Sequence, residues 1–167
     1  MKKLILFLLL LATMPAMAQG ELKFGFLSYN IVMQAMPEYA AMQNSMAELR
    51  EKYEAEQKRV ENDFNKKYEE FLDGLKNFPK TILQKRQSEL QELMERNIRF
   101  KEESKKELEQ TEKLLLAPLK IRLIEQLGTI ARERGYAFIV DTDQKALPYI
   151  NPSMGEDITL TVQDALK

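Results

Sequence analysis

The stretch Gly74–Lys80 reads GLKNFPK, and it decides how most of the chain folds. Between Pro37 and Pro118 it contains the only glycine, Gly74, and the only proline, Pro79. Proline cannot continue a helix, and glycine weakens one. The residues on both sides are rich in Glu, Lys, Gln, Leu and Arg, which are good helix formers. The stretch is therefore predicted to be the turn between two long helices.

Apolar residues recur at intervals of three and four on both sides of this turn. Before the turn they are Met42, Met46, Leu49, Tyr53, Val60, Phe64, Phe71, Leu75 and Phe78. After it they are Leu83, Leu90, Met94, Ile98, Leu108, Leu115, Leu119, Leu123 and Leu127. This spacing predicts an antiparallel helical hairpin with a narrow apolar seam over residues 37–117. At 1.5 Å per residue its outgoing arm would be roughly 60 Å long, so we expect it to project.

Polar sections interrupt the predicted seam. Residues 99–107 read RFKEESKKE, with Phe100 as the only large apolar residue. We interpret this section as a solvated face, and the alternative is that it lets the arms bend. Pro118 lies inside a helical pattern, where we expect it to kink the helix.

The first eighteen residues have the layout of a cleavable signal peptide. Lys2 and Lys3 form a positive start, and Leu4–Ala12 is an unbroken run of nine apolar residues. Small residues at 16–18 supply a cleavage site. The apolar run is too short to span a bilayer. We therefore predict cleavage after Ala18 and export of the mature chain.

Composition excludes several classes of function. After cleavage the chain would have 23 basic and 26 acidic residues, a net charge of −3, which does not favour nucleic acid as a partner. Cysteine and histidine are both absent. This absence excludes Cys–His and Ser–His nucleophile pairs and the usual zinc sites. No glycines form a phosphate-binding motif. We expect no enzyme activity, no cofactor, no metal and no nucleic-acid partner.

The two ends of the chain contain strand-like segments. Residues 22–27 alternate in polarity, and residues 137–140 form a compact apolar run. Residues 146–150 are a third candidate strand, at an edge position because of Pro148. Residues 19–36 and 118–167 are therefore predicted to form a small β-rich base.

A short helix is predicted to end the chain, capped by Asp157 or Thr159 and burying Ile158, Val162 and Leu166 on one face. Such a base holds too few large apolar residues to be stable alone, and its open strand edges would invite pairing. We therefore expect the protein to self-associate through the base. The residues expected at this association surface are Phe24, Phe26, Phe138, Ile139 and Val140.

Asp141 and Asp143 follow a predicted strand and could hold a metal, act as acid and base, or end the strand. A divalent metal would need more oxygen ligands, and the only acids close in sequence are Glu156 and Asp157. Aspartate is favoured in turns because its carboxylate binds nearby backbone amides. We interpret the pair as ending the strand in a hairpin turn.

The order of these elements resembles the Skp/OmpH family of periplasmic chaperones. The segments that carry the resemblance are residues 23–27 (KFGFL), 116–124 (LAPLKIRLI), 131–136 (ARERGY), 138–141 (FIVD) and 157–159 (DIT). The resemblance implies an α+β fold, mostly α, and a homotrimer whose three bases build one β-barrel. It also implies that the hairpins, as tentacles, enclose a cavity that holds unfolded outer-membrane β-barrel proteins without ATP. The best-known members are strongly basic whereas this chain is slightly acidic, so contact with membrane or lipopolysaccharide is left open.

The hairpin tip is the expected client-binding surface. From Asn65 to Arg86 there are six basic and three acidic residues, so charge is segregated along the arm. The residues expected to contact clients are Lys66, Lys67, Tyr68, Phe71, Leu75, Lys76, Phe78 and Lys80. The other interpretation is a compact tip that prevents fraying. The alternative function for the whole chain is an exported coiled-coil adaptor of the cell envelope.

Overall fold

The computed structural model describes residues 22–144 and 146–167. The predicted signal peptide and its cleavage site lie outside the described residues. The chain divides into two compact units, one over residues 36–122 and the other over the described parts of residues 1–35 and 123–167. The predicted division into base and hairpin, after residues 36 and 117, stays a prediction.

Helices dominate the chain. The elements in order are strand β1 (Phe24–Leu27), helices α1 (Tyr29–Ala35), α2 (Pro37–Gly74) and α3 (Lys80–Arg134), strand β2 (Phe138–Asp141), a 3-10 turn (Thr142–Gln144), strand β3 (Gly155–Asp157) and helix α4 (Thr159–Leu166). In the part of the chain that the structure describes, no helix has both the length and the hydrophobicity needed to cross a membrane.

The predicted antiparallel hairpin is confirmed. Contacts between α2 and α3 join early residues of one helix to late residues of the other. Glu38 pairs with Arg122, Arg50 lies 3.7 Å from Glu112, and the Asn97 amide donates to the Val60 carbonyl at 3.2 Å. The Tyr53 and Phe100 rings lie 6.1 Å apart between the same helices.

The turn also lies where it was predicted. Helix α2 ends at Gly74 and α3 begins at Lys80. The Gly74 carbonyl accepts hydrogen bonds from the amides of Asn77 and Phe78, at 3.0 and 2.9 Å. The Pro79 carbonyl accepts from Ile82 and so starts α3. Pro118 lies inside α3, and the kink expected there stays a prediction.

Helix α1 was not predicted as a separate element. It ends at Ala35, and α2 begins at Pro37. The residue between them, Met36, has an extended backbone (φ −70°, ψ 131°). This break follows from Pro37, because a proline ring disfavours the helical conformation of the preceding residue but suits the first position of a new helix.

The strands form one parallel sheet in the order β2–β1–β3. The predicted strand at residues 146–150 is wrong, since the third strand is Gly155–Asp157. Two parallel strands on opposite sides of β1 need a connection that returns across the sheet, and residues 146–154 lie in it. Pro148 and Pro152 suit such a connection because neither can donate to a ladder.

The last helix packs as predicted, but its cap differs. Val162 and Leu166 are buried on one face of α4, and Ile158, just before the helix, is buried as well. The residue before the helix is Ile158, whose side chain cannot cap it. Instead, the Asp157 carboxylate accepts from the Thr159 amide at 2.9 Å and from its hydroxyl at 2.6 Å. The two predicted capping residues therefore bind each other at the helix start.

Candidate functional site

The aromatic ring at the centre of the hairpin tip is held in place. Phe78 lies against Gly74 so closely that a Cβ at residue 74 would be 2.0 Å from a ring atom. The Arg86 guanidinium covers the ring at 4.5 Å from its centroid. Such a cation–π contact favours one ring position. Phe78 therefore belongs mainly to the packed turn, and Phe71, in α2, is half-buried.

Other apolar residues of the tip remain open to solvent. Tyr68, Leu72, Leu75 and Ile82 each keep between 41 and 47% of their surface exposed. The Tyr68 ring stacks on Phe64 at 6.1 Å with an angle of only 6° between the planes. These side chains form a half-covered apolar surface that could pack against another molecule.

The lysines predicted at the tip are exposed. Among the described residues, Lys66, Lys67, Lys76 and Lys80 form no ion pair within 4 Å. Their ammonium groups are therefore available to acidic groups of a partner. Of the eight predicted tip residues, six are exposed and two, Phe71 and Phe78, are half-buried.

Among the shallow grooves along the hairpin, two lie nearest the tip. One, of about 400 Å³, is lined mainly by charged residues, including Lys67, Lys85 and Arg86. The other, of about 270 Å³, is lined by Phe64, Met94 and Ile98 with polar neighbours. Met94 and Ile98 are half-exposed, so the apolar surface continues down the hairpin.

Four of the five predicted association residues share one face of the sheet. In the strand register Phe24 lies opposite Phe138, and Phe26 opposite Val140. Paired residues of adjacent strands project to the same side. The Phe24 and Phe138 rings stack at 5.3 Å, and Phe138 remains 45% exposed. We call these four residues the aromatic sheet face.

Ile139 projects to the other side of the sheet. Its register partner is Gly25, where an added Cβ would lie 3.1 Å from both Ile158 and Tyr136. That face is therefore covered by side chains of the same unit. The sequence could not separate the two faces, because nearly every residue of β1 and β2 is apolar.

The β3 strand is tied to its surroundings by a polar cluster. The Glu156 carboxylate accepts from the Tyr136 hydroxyl and pairs with the Arg134 guanidinium. The hydrogen bond from Tyr136, followed by the charge of Arg134, lowers the pKa of Glu156. Burial and this hydrogen bond raise the pKa of Tyr136. A groove of about 400 Å³ beside the cluster is also lined by Lys23 and Met154.

The aspartates lie at the end of a strand as predicted, but the turn is not a hairpin, because β2 and β3 lie on opposite sides of β1 and both run parallel to it. The two carboxylates hold the start of α1. Asp141 ends β2, and Asp143 lies in the 3-10 turn. Asp143 accepts from the Ser28 hydroxyl at 2.9 Å and from the Asn30 amide at 2.7 Å. Asp141 accepts from the Tyr29 and Asp143 amides, at 3.4 and 3.0 Å. Carboxylates satisfy unpaired amides at a helix start.

The aspartates are thus occupied by local hydrogen bonds. Within residues 22–144 and 146–167, no group of three or more acidic side chains could hold a metal ion.

Two features escaped the sequence analysis. One is the Asn97–Val60 hydrogen bond across the hairpin, which sequence spacing alone does not reveal. The other is a row of exposed apolar residues on α3, formed by Leu114, Ile121 and Ile124. Its signal was present in the sequence as a second apolar spacing, which alternates along the helix with the seam residues Leu115 and Leu119.

The chain thus combines a long helical hairpin with a small parallel sheet. A family model described as "Outer membrane protein (OmpH-like)" matches residues 23–166. The chain therefore belongs to the OmpH-like family.

A solved structure shows the same fold. It is that of a candidate outer membrane chaperone (OmpH-like) from Caulobacter crescentus CB15, with a TM-score of 0.70 and 17% sequence identity. The match covers 86% of this chain and 82% of that one. A comparison with curated proteins gave no significant match.

Proposed function

We propose that this protein is an ATP-independent holdase chaperone of the periplasm, which binds unfolded outer-membrane proteins and prevents their aggregation. Membership of the OmpH-like family supports this proposal, as does the description of its structural neighbour as an outer membrane chaperone. The predicted signal peptide supports the location. The absence of histidine and cysteine from the chain agrees with a function that needs no catalytic site.

The surface of the hairpin tip is the observation that carries the proposal. Exposed Tyr68, Leu72, Leu75 and Ile82 lie among lysines that have no partner in the described chain. Apolar contacts are non-directional, so they fit segments of any sequence that a client exposes. Several weak contacts on linked arms give tight holding through avidity without shape matching.

The working form is a homotrimer associated through the base. Its support is the aromatic sheet face, on which Phe138 is nearly half exposed although it belongs to a strand. A strand edge left open on β2 or β3 would also favour pairing with another copy. A trimer would arrange three hairpins around a cavity that can enclose a client.

The test is a direct aggregation assay. An outer-membrane β-barrel unfolded in urea is diluted into buffer without ATP, with and without the mature protein, and light scattering is recorded. The proposal expects scattering to be suppressed at a fixed molar ratio, with client and oligomer sedimenting together. It is rejected if a molar excess of oligomer leaves scattering unchanged. Stable capture of one folded envelope protein, without protection of unfolded clients, would instead support the adaptor.

A further inference from the structure

Helix α3 has a second apolar face, opposite the face that forms the hairpin seam. Leu114, Ile121 and Ile124 are 73, 58 and 59% exposed, although each is large and apolar. Ala117 and Gly128 continue the row, giving the heptad spacing 114, 117, 121, 124, 128. The seam residue Leu119 is buried and lies on the other side of the helix, since it is two positions, or about 200° of rotation, from Ile121. We call the row the outer stripe.

The stripe is confined to one section of the helix. The positions that would extend it toward the tip are Gln110, Glu107 and Glu103, all polar. A solvated face would continue the charged pattern, and a seam residue would be buried. Five successive heptad positions without a polar side chain instead match the a and d positions of a helix that packs against another helix in a coiled coil.

We propose that the outer stripe binds the same stripe of a second copy of this chain, in parallel and in register. This inference rests on the homotrimer of the proposed function, because three equivalent helices that meet around one three-fold axis all run in the same direction along it. The stripe would extend association from the sheet to the helices.

Charge complementarity identifies the molecule that binds the outer stripe. With the stripe at heptad positions a and d, Lys120 is at position g and Glu125 at the next position e. In parallel coiled coils these two positions form ion pairs between neighbouring helices. Both residues are exposed, and neither forms an ion pair with the described residues of its own chain. The stripe therefore complements a parallel copy of itself, which an unfolded client would not provide.

Disulfide trapping tests this contact, because the chain contains no cysteine of its own. Ile121→Cys would place thiols at facing positions of neighbouring helices. The matched control is Glu109→Cys, exposed on α3 but off the stripe. Under mild oxidation we expect cross-linked dimer to form about ten-fold faster for Ile121→Cys, since an interface raises the effective thiol concentration. Equal rates for the two variants would overturn the inference.

A charge reversal gives an independent check on whether the two helices pair in parallel. Lys120→Glu should bring two carboxylates together and shift the sedimentation profile toward monomer. The double variant Lys120→Glu/Glu125→Lys should restore the oligomer, because the pair is then reversed. Parallel pairing is contradicted if the single change leaves the sedimentation profile unaltered, or if the double change does not restore the oligomer. Circular dichroism of each variant confirms that the helices are intact.

The aggregation assay keeps the two ideas separate. If the wild-type protein protects clients but Ile121→Cys does not cross-link above its control, only the outer-stripe contact is wrong. If the stripe cross-links but the oligomer fails to protect clients, the contact stands and the proposed function is wrong.

Discussion

Neutralising the lysines of the tip should weaken client binding without weakening the fold. Lys66, Lys67, Lys76 and Lys80 are exposed and have no ion-pair partner among the described residues, so changing them to Gln removes no ion pair from this part of the chain. An exposed charge pair contributes about 0.2–1 kcal/mol. Four such contacts with an acidic client would contribute about 2 kcal/mol, or roughly a thirty-fold loss of affinity at low salt.

The dependence on salt makes this prediction specific. The Debye length falls from about 30 Å at 0.01 M to about 8 Å at 0.15 M salt. The difference in client affinity between wild type and variant should therefore shrink steeply as salt is added. The assay is a titration of a fluorescently labelled, urea-diluted outer-membrane β-barrel at several salt concentrations, with thermal unfolding measured alongside.

A control variant separates the effect of where the charge lies from the effect of how much charge is removed. Lys52, Lys58, Lys106 and Lys113 are equally exposed and have no ion-pair partner in the described chain, but they lie away from the tip. Changing these four to Gln alters net charge identically and should affect binding less. If both variants bind with the same affinity and the same salt dependence, the tip is only a packed end of the coil.

Three further predictions concern stability and assembly. Gly74→Val should cost about 1–2 kcal/mol in urea unfolding, because its Cβ would displace the Phe78 ring. Phe138→Asp should dissociate the oligomer in sedimentation while circular dichroism stays native, whereas Ile139→Asp should destabilise the fold itself, since it projects to the covered face. The pKa of Glu156 is lowered, so its contribution to stability is full above the ordinary carboxyl pKa of 4.5 and is lost as pH falls through the lower folded-state value. Glu156→Gln should reduce this acid dependence, measured by urea unfolding across that pH range, and an unchanged profile would contradict the assignment.

The helical hairpin could be predicted because its signals are local. Gly74 and Pro79 mark the turn, and each helix shows its own apolar spacing over many residues. Such signals do not depend on which segments meet in space. The break before Pro37 was equally local, but α1 has only seven residues, too few for the spacing to separate it from α2.

The base was harder because its strands pair across long sequence distances. Residues 146–150 resemble a strand more than Gly155–Asp157 does, yet the polar segment pairs with β1. Its position is decided by close packing that sequence does not display. A Cβ at Gly155 would lie 2.4 Å from the Phe24 ring, so only glycine admits the ring at that point.

The same limit explains what was missed about the aspartates. Sequence placed Asp141 and Asp143 at the end of a strand, but their partners come more than a hundred residues earlier: Tyr29 for Asp141, and Ser28 and Asn30 for Asp143. Because those hydrogen bonds start α1, the pair joins the first helix to the second strand. A change at either aspartate would therefore act on the sheet that carries the aromatic sheet face. Loss of oligomer in such a variant would reflect the altered base, and it would not be evidence for a metal.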